Sequence, residues 1–203
     1  LTNATAAADV ERLTQAGVWL VADTCTYLVP IMAAPPGSTV MPLDPEASSA
    51  LPAGYRLHEF TLERLIGEGG FGIVYLARDN QLQRAVAIKE YMPAQLAYRL
   101  PDHTVSARSR RHVETFALGL RSFVNEAQLL ALFDHPSLVK VYRFWEDNGT
   151  AYMVMPYYAG RTLRQVRQGM VVPPGEAACR RVLDALLSAL EAPHREGDYH
   201  RDI

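Results

Sequence analysis

Residues 67 to 74 read Gly-Glu-Gly-Gly-Phe-Gly-Ile-Val, and fifteen positions beyond Val74 a lysine closes the run Val86-Ala87-Ile88-Lys89. Glycines at 67, 69 and 72 lack the Cβ atoms that hold a backbone away from a ligand, so main-chain N–H groups can approach the oxygens of a polyphosphate. Lys89 adds a compact cationic charge for the same oxygens. The pairing describes a phosphate cradle for a nucleoside triphosphate.

The flanking residues say which elements would hold that cradle. Apolar positions at Tyr55, Leu57, Phe60, Leu62 and Leu65 predict a strand running into the glycine loop. Ile73 to Ala77 predict a second strand, Asp79 and Asn80 a turn, and Ala85 to Lys89 a third, which makes an antiparallel meander. Residues 91–112 carry Pro93, Pro101 and the basic side chains Arg99, Arg108, Arg110 and Arg111, and read as a loop-rich insertion with a solvated basic face. Phe116, Leu120, Phe123, Ala127 and Leu130 recur at helical spacing and predict a helix facing the sheet, ended by His135-Pro136. Leu138 to Phe144 and Ala151 to Met155, around the turn Asp147-Asn148-Gly149, bring the expected strands to five. Thr162 is placed to cap a short helix. Pro174 is placed to open a longer one through Val182, Leu183, Leu186, Leu187 and Leu190, which Pro193 would end.

Two other glycine-loop chemistries fail on these elements. A dinucleotide site needs a helix directly after the glycines, with the pyrophosphate on its N-terminus, and the β-branched and aromatic run after Gly72 is strand-like, although Glu90 could mimic the ribose-binding acid. A P-loop needs Lys and Ser or Thr after its last glycine, where this chain has Ile73-Val74.

With His200-Arg201-Asp202, the set becomes GxGxxGxV, VAIK and HRD in that order. From about Tyr55 to Ile203 the chain resembles a protein kinase, and the Lys89-Glu90-Tyr91-Met92-Pro93 run with the insertion after it resembles the bacterial eukaryotic-like Ser/Thr group. The resemblance implies an α+β fold: a five-stranded antiparallel N-lobe with the helix that the family calls αC, and the first helices of an incomplete α-helical C-lobe. It divides the chain into an N-terminal extension and Pro/Ala/Ser-rich linker (1–54), the N-lobe and hinge (55–157) and a partial C-lobe ending at HRD (158–203).

The resemblance also implies the site. Lys89 would bridge the α and β phosphates of ATP and pair with Glu126, whose position between Phe123 and Leu130 puts it on the buried side of its helix. Glu114 is the nearby competitor. Gly67, Gly69 and Gly72 would cover the phosphates, Val74 and Ala87 would sandwich the adenine, and Met155, Pro156 and Tyr158 would form gatekeeper and hinge. The hinge contacts would be a carbonyl at Pro156 and an N–H at Tyr158, and proline lacks only the donor that ATP does not need there. Leu130, Val141 and His200 match the apolar column joining the lobes. Asp202 would orient the substrate hydroxyl and take its proton, and Arg201 would pair with an activation-loop phosphate.

Residues 1–203 contain no catalytic-loop asparagine after HRD, no DFG and no APE, and Leu1 is not an initiating Met, so the sequence reads as a fragment that by itself would transfer little phosphate. Magnesium is expected only in the full-length kinase, and helix 175–192 is expected to expose apolar surface. The alternative is a non-catalytic pseudokinase or protein-interaction module.

The bulk numbers fit. A formal charge of −2 with 49% apolar residues gives a sizeable core and no global case for nucleic acid or an anionic membrane. Cys25 and Cys179 lack metal-ligand spacing, and Asp23, Thr24, Thr26 and Pro30 interrupt the apolar run 18–34 short of a membrane span. No secretory signal is evident, so the expected setting is cytoplasmic, with an unidentified protein substrate.

Overall fold

A computed structural model describes residues 49–70, 72–160 and 163–195. Cys25, Thr162 and the HRD residues lie outside the described residues. The elements run β1 (Arg56–Leu57), β2 (Phe60–Glu68), β3 (Gly72–Asp79), β4 (Arg84–Tyr91), β5 (Ala97–Arg99), β6 (Val105–Ala107), α1 (Val113–Leu132), β7 (Arg143–Asp147), β8 (Thr150–Pro156), α2 (Leu163–Gln168) and α3 (Glu176–Arg195).

An antiparallel sheet in the order β1-β2-β3-β4-β8-β7 forms the centre of the structure. It has the five expected strands plus β1, because the run 55–65 is not one strand. His58, at φ 53°, turns the chain so that Arg56 and Leu57 pair back onto Thr61 and Phe60. Leu138 to Tyr142 also stay outside the regular strand, which begins at Arg143. Pro174 lies two residues before α3 and not inside it, and Pro193 falls within the helix, which continues to Arg195. A proline in a last turn removes a single N–H donor, which a terminal turn tolerates better than a helix centre.

Register sorts the sheet into two chemistries. Val74 pairs with Lys89, Leu76 with Ala87, Ala87 with Met155 and Lys89 with Met153. Directly paired residues share a face and neighbours along a strand alternate, so Val74, Leu76, Ala87, Lys89, Tyr91, Met153 and Met155 line one face. The same rule puts Tyr75, Ile88, Glu90, Tyr152 and Val154 on the other. Both faces of β4 are buried, which is why its sequence shows no simple polar and apolar alternation.

The second face is covered by the insertion and by the residues just before β1. Residues 91–112 are not simply a loop: β5 and β6 form a hairpin, and the Val105 N–H donates to the Asn148 carbonyl at 2.7 Å. Arg99 is not part of a solvated face. Its side chain is buried, with Nη2 donating to Glu90 Oε2 at 2.7 Å, Nε to the Ser49 carbonyl at 2.6 Å and Nη1 to the His103 carbonyl at 2.9 Å. Arg108, Arg110 and Arg111 do remain exposed. Tyr75 Oη donates to the same Glu90 oxygen at 2.7 Å and accepts from the Leu51 N–H at 2.9 Å, and Leu51 itself is buried. Residues 49–51 are therefore packed onto the sheet despite their linker-like composition.

Electrostatics follow from this burial. The Tyr75 hydroxyl is raised far above the ordinary tyrosine value by burial first and then by the Glu90 charge. Burial alone would lower the Arg99 guanidinium, and the Glu90 charge and hydrogen bond reverse that, holding it above its ordinary value.

Candidate functional site

The first face of the sheet gathers the cradle residues. The ladder pairs Gly67 with Val74, and Val74 with Lys89, so loop, apolar ceiling and lysine follow one another across three adjacent strands. The loop itself is closed by a hydrogen bond from the Gly69 N–H to the Gly72 carbonyl, 2.9 Å long. A Cβ at Gly70 would meet nothing within 4 Å, so that residue stands open. Gly72 answers to a second constraint: a Cβ there would come within 2.5 Å of the Glu90 carbonyl oxygen. Glycine at 72 is needed for the close approach of β3 to β4, whatever else the loop binds.

Helix α1 supplies the acid. Phe116, Phe123, Glu126, Ala127 and Leu130 form its buried stripe on one face of the helix, in steps of seven, three, one and three residues. Glu126 thereby points at β4, where Lys89 Nζ lies 3.4 Å from its Oε1, with both side chains less than a tenth exposed. Lys89 Nζ is also 5.5 Å from the centre of the Phe123 ring. The competing acid, Glu114, is exposed in the first turn of the helix. A buried carboxylate and ammonium are costly to desolvate and persist only with close partners, and each supplies the other with an opposite charge here.

The remaining candidates fall into two groups. Val74, Ala87 and Met155 are buried on the Lys89 face, and Pro156 closes β8 opposite Val86. Tyr158 follows, with its hydroxyl pushed up to about 12 by burial and then by Tyr142. Leu130 is buried and Val141 packs against the core, whereas their expected companion His200, with Arg201 and Asp202, lies outside the described residues. On α3, Ala189 and Leu190 are buried while Leu183 and Leu187 are more than half exposed, and His135 meets Ser188 at 3.0 Å between the loop after α1 and this helix.

The arrangement is a glycine-turned antiparallel sheet with a buried lysine and glutamate between strand and helix. A protein kinase domain model matches residues 60–203. The chain belongs to the protein kinase domain family. It is 35% identical over 153 residues to the serine/threonine-protein kinase PksC of Streptomyces coelicolor, covering 71% of this chain and 24% of that protein. It is 33% identical over 167 residues to the probable serine/threonine-protein kinase PknB of Bifidobacterium longum, covering 77% of this chain and 21% of that protein. The chain thus spans about a quarter or less of these relatives' own length. Among solved structures it is similar to PpkA-294 in its apo form, with 52% identity, TM-score 0.71 and 77% of this chain on 56% of that one. The Mycobacterium tuberculosis PknI kinase domain, at 24% identity and TM-score 0.58, shares the fold over 76% of this chain and 55% of its own.

The buried Glu90 and Arg99 on the second face are what sequence reasoning missed. Glu90 was legible only as a possible ribose acid, and Arg99 only as one of four surface arginines.

Proposed function

We propose that the Lys89 face of this kinase domain binds ATP and that the protein transfers its γ-phosphoryl group to serine or threonine hydroxyls of a protein substrate. The observation that carries the reading is the buried Lys89 to Glu126 pair at 3.4 Å, set on the same sheet face as Val74, Ala87 and Met155. An ammonium held there by a carboxylate is oriented before any phosphate arrives, so no reorganisation is left for the moment of binding. Gly67, Gly69 and Gly72, lacking Cβ atoms, would let the loop backbone lie close over the phosphates, and the Pro156 carbonyl and Tyr158 N–H would read the adenine edge.

Bound nucleotide supplies the phosphoryl group, and magnesium would neutralise its developing charge. Among the described residues no group of three His, Cys, Asp or Glu could hold that metal. Asp202, placed by its HRD match, would orient the attacking hydroxyl and accept its proton. Serine and threonine are favoured over tyrosine by the bacterial relatives. Among the described residues no helix is long and apolar enough to cross a membrane. A cysteine content of two, without metal-ligand spacing, supports a reducing, cytoplasmic setting.

Incubating the full-length protein with magnesium and γ-labelled ATP, followed by phosphoamino-acid analysis, tests the reading. Labelled phosphoserine or phosphothreonine is expected, and Asp202→Asn is expected to lower its formation about 100-fold or more. Equal labelling by the variant would remove Asp202 from the mechanism. No labelling by either protein would favour the non-catalytic alternative.

A further inference from the structure

We propose that Tyr91 and Gly119 form a peg and notch that sets the position of helix α1 and so holds Glu126 against Lys89. This rests on the reading of that pair as the phosphate-binding element. A Cβ built on Gly119 would fall 2.1 Å from Tyr91 Oη and 2.9 Å from its Cζ, so the absence of a side chain at 119 is what lets the phenol lie against the helix.

The phenol has no room to swing away. Tyr91 is 6% exposed, its ring centre is 5.2 Å from Phe116 and 5.9 Å from Phe123, and its hydroxyl donates to the Phe116 carbonyl at 3.3 Å. Packed aromatic rings of this kind resist displacement as a unit.

The geometry links the notch to the pair. Lys89 and Tyr91 are two apart on β4 and project from one face. Gly119 and Glu126 are seven apart on α1, nearly two full turns, and also share a face. Strand and helix are thus registered at two points: Tyr91 against Gly119, and Lys89 against Glu126. Sliding or rotating the helix would drive its backbone or the next side chain into the phenol. Conversely, any side chain at 119 must push the helix outward by about 1 Å or more to reach ordinary contact distance. The Lys89 to Glu126 separation, 3.4 Å, has little slack against such a shift. Tyr91 and Gly119 are positioning residues that act through Glu126.

Two readouts on the full-length protein separate this role from general stability. Lysine labelled with ¹³C at Cε gives an NMR signal for Lys89, assigned by its loss in Lys89→Met. Gly119→Ala is expected to move that signal to the position it takes in Glu126→Gln, and to lower kcat about 10- to 100-fold, the scale of a 1 Å misplacement. Gly119→Ala combined with Tyr91→Leu, which removes the obstructing ring, is expected to restore both. A Lys89 signal unmoved by Gly119→Ala, or not restored in the double variant, overturns the proposal. If Gly119→Ala alone does not fold, the double variant decides: a folded protein with the native Lys89 signal supports the peg, and a protein that stays unfolded overturns it. Absence of phosphoryl transfer in the native protein would sink the functional reading, yet the Lys89 signal would still judge the peg.

Discussion

Lys89→Met is expected to lower phosphoryl transfer by the full-length protein about 100- to 1,000-fold, the usual cost of deleting one preorganised charge-stabilising donor. Methionine matches the lysine stem in length and apolar character, so the change removes the ammonium and little packing. It also leaves the Glu126 charge buried without the Lys89 cation, and breaking a buried pair in this way costs about 3–5 kcal/mol. Stability and catalysis therefore fall together in the single variant, and a second substitution separates them. Lys89→Met with Glu126→Leu deletes both charges, so it is expected to regain most of the lost stability while staying as inactive as the single variant. Urea denaturation and a γ-phosphate transfer assay read the two effects. A stable, inactive double variant assigns the pair to catalysis. Recovery of activity along with stability would reduce the pair to a structural brace.

The second large effect belongs to the opposite face. Arg99→Ala is expected to destabilise the domain by about 3–5 kcal/mol, because it strips the guanidinium from a carboxylate that is fully buried. Beyond Arg99, Glu90 is left with neutral phenols: Tyr75 donates to Oε2, and the Tyr152 hydroxyl lies close enough to feel its charge. The loss also frees the Ser49 and His103 carbonyls, loosening residues 49–51 and the β5 to β6 hairpin together. Arg110→Ala, at an exposed position on the same insertion, is the matched control and should shift stability by no more than about 0.5 kcal/mol. Denaturation midpoints for the two variants test this. A shift for Arg99→Ala as small as that for Arg110→Ala would mean that the pair contributes nothing net.

These two predictions differ in how far the sequence foretold them. The Lys89 and Glu126 pair was legible because two local periodicities meet in it: strand alternation fixes the face of Lys89, and helical spacing puts Glu126 beside Phe123 and Leu130. The glycine loop was legible because three spaced glycines ahead of a β-branched strand exclude a helix at that point. Glu90 and Arg99 were not legible, since their meeting depends on a hairpin of two three-residue strands, too short to show a period and interrupted by proline. Alternation did contain a clue. It places Glu90 beside Ile88 on a face that the apolar run of β4 requires to be buried, and a buried acid demands a cation. Gly119 gave no signal of its own, because a glycine inside a helix looks like a weak residue until the ring against it is seen. Gly72 shows the reverse case, a glycine whose place in a loop motif hid its contact with the Glu90 carbonyl.

The central claim is that nucleotide phosphates lie against Lys89. The sequence contains one other lysine, Lys140, which is 60% exposed and paired with Asp134, and it serves as an internal control. An ATP analogue carrying an acyl phosphate at its terminal phosphate transfers its acyl group to a lysine amine held beside it, forming a stable amide and releasing ATP. Peptide mapping by mass spectrometry after such treatment should find the acyl group on Lys89, with the labelling abolished by excess ATP and Lys140 unaffected by it. Labelling of Lys140 alone, or labelling of Lys89 that excess ATP does not reduce, would contradict the account.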